Sequence, residues 1–286
     1  MRHPGPALTA LVSLLAITAS ARAESQFWEE MAEPGITEYR AAVSTARGLI
    51  AAGDAQRALV ELEGARQRLP DRPEAHCWTA LALGRLERFE EAARAWDHAL
   101  EIDPGLLGDE SLSFECTICF ARIGRYSDAT DIYRRMIARG VSPQLNGVVL
   151  LNMAEMLVAA SCDGLDAAIE LYQEAVRNDP DRAGAHWGLG AALVRAGRAE
   201  EAAAELAVAQ RLDPQWTSFS RPGTFFVPPY DRYFYQALGW EQVGNRERAA
   251  GEWETYLRSG GAEGCWADTA RAHLEALRRP VPGRRR

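Results

Sequence analysis

Cys116 and Cys119 are spaced as C-x-x-C, a pattern in which two thiols can exchange a disulfide or share a metal ion. The redox form of that chemistry needs a strand–helix setting, whereas the flanking residues SFECTICFARIG read as an amphipathic helix. Zinc needs four ligands, and only His76, Cys77 and His98 stand where they could complete a set. The pair therefore reads as two core side chains. The alternative is a disulfide from Cys116 or Cys119 to Cys77, with the choice between them open. His3, His76, His98, His186 and His273 are scattered. The chain has no HExxH, no phosphate-binding glycine loop and no nucleophile elbow. The expectation is a non-enzyme with no catalytic residues, no cofactor and no metal.

The elements that would position any site come from an internal repeat. One phrase recurs as GDAQRALVELEGARQRLP, ERFEEAARAWDHALEIDP, GRYSDATDIYRRMIARGV, DGLDAAIELYQEAVRNDP, GRAEEAAAELAVAQRLDP and GNRERAAGEWETYLRSGG. Alignment puts Ala58, Ala92, Ala129, Ala168, Ala202 and Ala249 in register, 34, 37, 39, 34 and 47 residues apart. Four and seven residues on come Leu62/Ala65, Trp96/Ala99, Tyr133/Met136, Tyr172/Ala175, Leu206/Ala209 and Trp253/Tyr256, which is one helical face. Pro70, Pro104, Pro180 and Pro214 then stop four of these helices, while Val141 and Gly261 take that place in the others. A second helix precedes each phrase. Gly53, Gly124, Gly197 and Gly244 stand at its end, where a left-handed backbone suits glycine. Ala46, Ala80, Gly190 and Ala237 are the small residues seven before; Thr117 and Met156 are larger and suggest looser packing.

This pattern resembles the tetratricopeptide repeat family, a helix–turn–helix of 34 residues with small residues at positions 8, 20 and 27 and proline at 32. The tryptophan usual at position 4 is absent; His76 and His186 occupy it in two copies. The resemblance implies an all-α, right-handed superhelical solenoid of about six repeats, at 39–72, 73–106, 110–143, 149–182, 183–214 and 230–263. Residues 105–109 and 142–148 read as short insertions. The longer insertion 215–229 carries Trp216, Phe219, Phe225 and Phe226 and is either a loop stapled to its neighbours or a groove plug. Trp266, Ala270, Leu274 and Leu277 form one stripe of a capping helix within 264–279. Phe27, Trp28 and Met31, in the segment 24–38, stand where they could cover repeat one.

In this family positions 5, 9, 12 and 13 of the first helices line a concave groove. The matching residues here include Arg47, Leu81, Arg85, Phe114, Ile118, Arg122, Met153, Leu157, Trp187, Arg195, Phe234 and Leu238. The resemblance thus implies an apolar floor with an arginine margin, suited to an amphipathic helix or an extended peptide. The lysine–asparagine clamp that some relatives use for a C-terminal carboxylate is not matched, because Val43 and Arg47 stand in its first-repeat places.

Residues 1–23 read as a cleaved signal peptide. Arg2 and His3 precede an apolar run from Ala7 to Ala19, and Ala21-Arg22-Ala23 offers small residues at the cleavage positions. The alternative is an uncleaved anchor. Together with the repeats, this resembles an exported, bacterial-type member of the family, periplasmic or otherwise extracytoplasmic. The formal charge of −8 argues against nucleic acid as a partner. The basic end, Arg278, Arg279 and Arg284 to Arg286, reads as a solvated tail over 280–286 or a contact for anionic lipid or polymer. Five cysteines are too few and too odd for a disulfide scaffold, although an oxidising compartment would permit a bridge. The resulting expectation is an envelope scaffold that binds other proteins or peptides, without stable membrane insertion. A homo-oligomer, or an accessory subunit of an envelope enzyme or secretion assembly, is the alternative.

Overall fold

The computed structural model describes residues 29–220, 226 and 228–279, and all regular elements among them are helices. The leader, Phe27, Trp28, Phe225 and the tail 280–286 lie outside the described residues. The chain divides into two compact units, the first ending at Leu106 and the second beginning at Leu107.

The first unit holds α1 (Ile36–Ala51), α2 (Ala55–Arg68), α3 (Pro73–Arg85) and α4 (Phe89–Ile102), packed as two helical hairpins. Tyr39 pins α1 to α3: its hydroxyl accepts from the Ala75 backbone N–H at 2.9 Å and donates to Glu74 at 3.1 Å. The second unit holds four hairpins: α5 (Glu110–Arg122) with α6 (Tyr126–Arg139), α7 (Pro143–Ala160) with α8 (Leu165–Asn178), α9 (Ala183–Arg195) with α10 (Ala199–Leu212), and α11 (Asp231–Gln242) with α12 (Arg246–Tyr256). A last helix, α13 (Ala267–Arg278), packs on α12 and buries Ala270 and Leu274. Among the described residues, no helix is long and apolar enough to cross a membrane.

The repeat register is a packing register. All six alanines, and every residue four and seven places after them, are buried. Alanine lets two helix backbones approach, and the bulky residue one turn later fills the next layer. Thr117 and Met156 are fully buried as well, so those larger residues are accommodated inside the layer. Gly53, Gly124, Gly197 and Gly244 end their helices with φ between 71° and 84°, and Glu87 takes the same left-handed turn at φ 58°. The position-4 histidines serve the turns between hairpins. Nε2 of His76 lies 2.8 Å from the Pro70 carbonyl oxygen, and that of His186 lies 2.9 Å from Pro180. Each histidine thus ties a first helix to the proline turn before it.

Most of the short insertion 142–148 is helical: residues 143–148 form the opening turns of α7, since Pro143 at the first helical position has no N–H to lose. Three expectations need correction. The first repeat helix begins at Ile36 rather than 39, after Gly35 in a left-handed turn that Glu30 stabilises by accepting from Gly35 N–H at 2.6 Å. Met31 is 64% exposed and covers nothing. Finally, a disulfide is present, joining Cys162 in the turn between α7 and α8 to Cys265 just before α13. Cys77, Cys116 and Cys119 are instead buried thiols.

Candidate binding pocket

The first helices of the second unit share one face, and a cavity of about 420 Å³ opens on it. Phe114 and Ile118 come from α5, one turn apart. Val148, Leu151, Asn152 and Glu155 form one stripe of α7. Gly184, Trp187 and Gly188 come from α9. The segment after α10 supplies Ser218, Phe219 and Phe226, and α11 supplies Tyr235.

Asp213 anchors that segment. It is buried and accepts from the Thr217 N–H (2.8 Å) and hydroxyl (2.9 Å) and from the Ser218 N–H (2.6 Å) and hydroxyl (2.7 Å). Burial alone would raise its pKa, but these donors outweigh it and hold the carboxyl low. Trp216 donates its indole N–H to Gln210 at 2.6 Å and stacks on Phe219, whose ring meets Trp187 edge-on at 5.1 Å between centroids. The described part of the insertion is therefore stapled to its neighbours and also walls the cavity.

Among the described residues, Glu155 is the one charged residue lining the cavity. Its Oε2 accepts from the Tyr172 hydroxyl at 2.7 Å and the Tyr235 hydroxyl at 3.0 Å. Tyr172 reaches it from α8 because Gly188 leaves room: a Cβ there would sit 2.3 Å from the Tyr172 ring. Nearby, Arg195 donates from Nη2 to both oxygens of Asp231 at 2.6 Å, and its guanidinium lies 4.1 Å from the Phe234 ring centre. Both partners are almost wholly buried, with side-chain exposures of 0% and 4%. Burial disfavours the charge on Arg195, but the Asp231 and Glu155 carboxylates outweigh it and keep the guanidinium protonated.

Burial, and then the Asp231 charge, push Glu155 up to about 7 against the opposing pull of Tyr172, Arg195 and Tyr235. In the unfolded chain the same carboxyl titrates near 4.5. Between those values the folded protein keeps a proton that the unfolded chain has lost. The Glu155 contribution to stability therefore falls as pH rises from 4.5 to 7 and is flat above 7. The expected size is about 1–3 kcal/mol. Urea midpoints at pH 5 and pH 8 should fall more steeply for the wild type than for Glu155→Gln. Equal slopes would show that Glu155 titrates normally.

Family models for the tetratricopeptide repeat match residues 73–106 and 163–215, the second hairpin and the span from α8 to α10. The chain is a tetratricopeptide-repeat protein. Solved structures with the same tetratricopeptide-repeat fold include MamA (residues 41 to end) from Desulfovibrio magneticus RS-1, at 20% identity and TM-score 0.53, covering 63% of this chain and 98% of that one. PilW, described as a widely conserved type IV pilus biogenesis factor, aligns at 14% identity and TM-score 0.53, covering 84% and 97%. PilF of Pseudomonas aeruginosa aligns at 14% identity and TM-score 0.51, covering 82% and 97%. At these identities the likeness concerns the fold. No curated protein matches the chain in sequence.

Of the residues expected to line the tetratricopeptide-repeat groove, Phe114, Ile118 and Trp187 meet at the cavity. Trp187 is only 1% exposed, so it is core and wall together. Met153, Phe234 and Leu238 are buried, and Leu157 packs against the core of α7, α8 and α9. Arg122 is partly buried at the end of α5. Arg195 departs furthest from the expected margin, because Asp231 of the next repeat draws it inside. In the first unit, Leu81 is buried, Arg85 is exposed, and Arg47 lies over the Trp78 ring at 4.9 Å. The sequence reading missed Glu155. The signal was there: it is the sole charge in the 18 residues of α7.

Proposed function

We propose that this chain is an exported, non-catalytic scaffold that holds a partner peptide or helix against the first-helix face of its second unit. The observation that carries this reading is the open cavity at Phe114, Ile118 and Trp187, with aromatic and aliphatic walls and, among the described residues, Glu155 as its one charge. Membership of a repeat family that presents helix faces to other proteins supports it. Export is supported by the leader-like residues 1–23 and by the Cys162–Cys265 disulfide, a bond that persists in oxidising compartments. PilW, a pilus biogenesis factor of the same fold, is a precedent for work in assembly.

The test is a photo-crosslinking amino acid at position 114, activated in the native cell, with the products identified by mass spectrometry. A cross-link to a segment of another protein, on a chain whose native N-terminus is Glu24, is the expected result. A cross-link only to a second copy of the chain would replace the scaffold with an oligomer. No cross-link at all would remove this face as the binding surface.

A further inference from the structure

The cavity has a polarity that its aromatic walls conceal. Both tyrosine hydroxyls donate to Glu155 Oε2. Oε1 has no protein donor among the described residues, on a side chain that lines the cavity and keeps some exposure. Among the described residues, the cation that acts on Glu155 is Arg195, and it is committed to Asp231 through two contacts. The Glu155 side chain therefore lines a space shared with Phe114, Trp187 and Phe219, and among the described residues no cation is dedicated to it.

Resting on the scaffold reading above, we propose that this cavity receives a lysine side chain of the partner protein, its alkyl stem between the aromatic rings and its ammonium on Glu155 Oε1. An alkylammonium matches both parts of the site, apolar along the stem and charge-assisted at the tip. Aromatic faces add attraction for a cation held near them. Lysine fits better than arginine because the guanidinium fork gains most from two carboxylate oxygens, and Oε2 is already taken by two donors. The ammonium would also favour the ionised form of a carboxyl that burial holds near neutrality.

The sequence adds an independent restriction. All 32 of its Lys and Arg residues are arginine. A second copy of the chain can offer no lysine side chain, so the occupant has to be a different protein. The same fact simplifies the chemistry of a test, since a carbodiimide joins a carboxylate to an amine and this chain has no lysine amine of its own.

The probes are three blocked tripeptides, acetyl-Ala-X-Ala-amide with X as lysine, arginine or norleucine. They are titrated against the full chain, with the Trp187 indole N–H signal followed by NMR. The lysine peptide should bind at least about tenfold more tightly than the norleucine peptide, with arginine between them. Glu155→Gln should abolish that preference, while Phe114→Ala should weaken all three peptides alike. Carbodiimide treatment should couple the lysine peptide to Glu155 and to no other carboxylate at saturable yield. Equal binding of lysine and norleucine, or an unchanged preference in folded Glu155→Gln, overturns the proposal. The scaffold reading fails separately: a lysine-selective cavity with no partner cross-linked from position 114 would leave the pocket chemistry standing and the scaffold refuted.

Discussion

Replacing Cys162 and Cys265 together by alanine should lower the stability of the second unit by about 2–4 kcal/mol. The two residues are 103 apart in sequence, so the bridge closes a loop spanning α8 to α12 and removes much of the freedom of the unfolded chain. It also ties the α7–α8 turn to the segment leading into α13. Both cysteines are exposed, so the bond is open to reductant without prior unfolding. Urea denaturation of the oxidised wild type, the reduced wild type and the double variant should give one high midpoint and two matching low ones. A double variant as stable as the oxidised wild type would mean that the repeats alone hold this end of the molecule.

Asp231→Ala should cost about 3–5 kcal/mol, because it leaves the Arg195 guanidinium buried without its counter-ion. The pair is already imperfect: Nε and Nη1 of Arg195 are buried with no hydrogen-bond partner among the described residues. Replacing both, with Arg195→Met and Asp231→Leu, should come within about 1 kcal/mol of the wild type or exceed it, since the desolvation of two charges disappears with them. Thermal or urea melts of the three proteins decide the matter. If the single variant costs no more than the double, Arg195 finds another partner and the ion pair does not matter to this core.

The helices were legible because the sequence states the same packing rule six times. An alanine, a bulky residue four later and another apolar residue at seven can be recognised in any copy once two are aligned, and each of these side chains is buried. What the repeat does not state was missed or misplaced. Arg195 holds a position that faces the groove in the family pattern. Its direction here is set by Asp231, 36 residues on, and by the Trp266 ring 5.8 Å away, neither of which belongs to its own repeat. The Cys162–Cys265 bond has the same origin, since it depends on the chain end returning to a turn three hairpins earlier. Glu155 was visible as an isolated charge in an apolar helix. Only the arrival of Tyr172 past Gly188, and of Tyr235 from α11, shows what that charge is for.

The bridge also decides how the second unit bears tension. A pull on the chain beyond α13 passes through Cys265 to Cys162 and on into α7, bypassing the residues between them. Those residues, fully stretched, would release roughly 350 Å of slack. While the disulfide stands, none of it can be paid out. A strained assembly could therefore draw on α13 without unravelling the hairpins α9 to α12, and with them the wall that holds Trp187 and Tyr235 in place. Reduction turns the same stretch of protein from a strut into a spool.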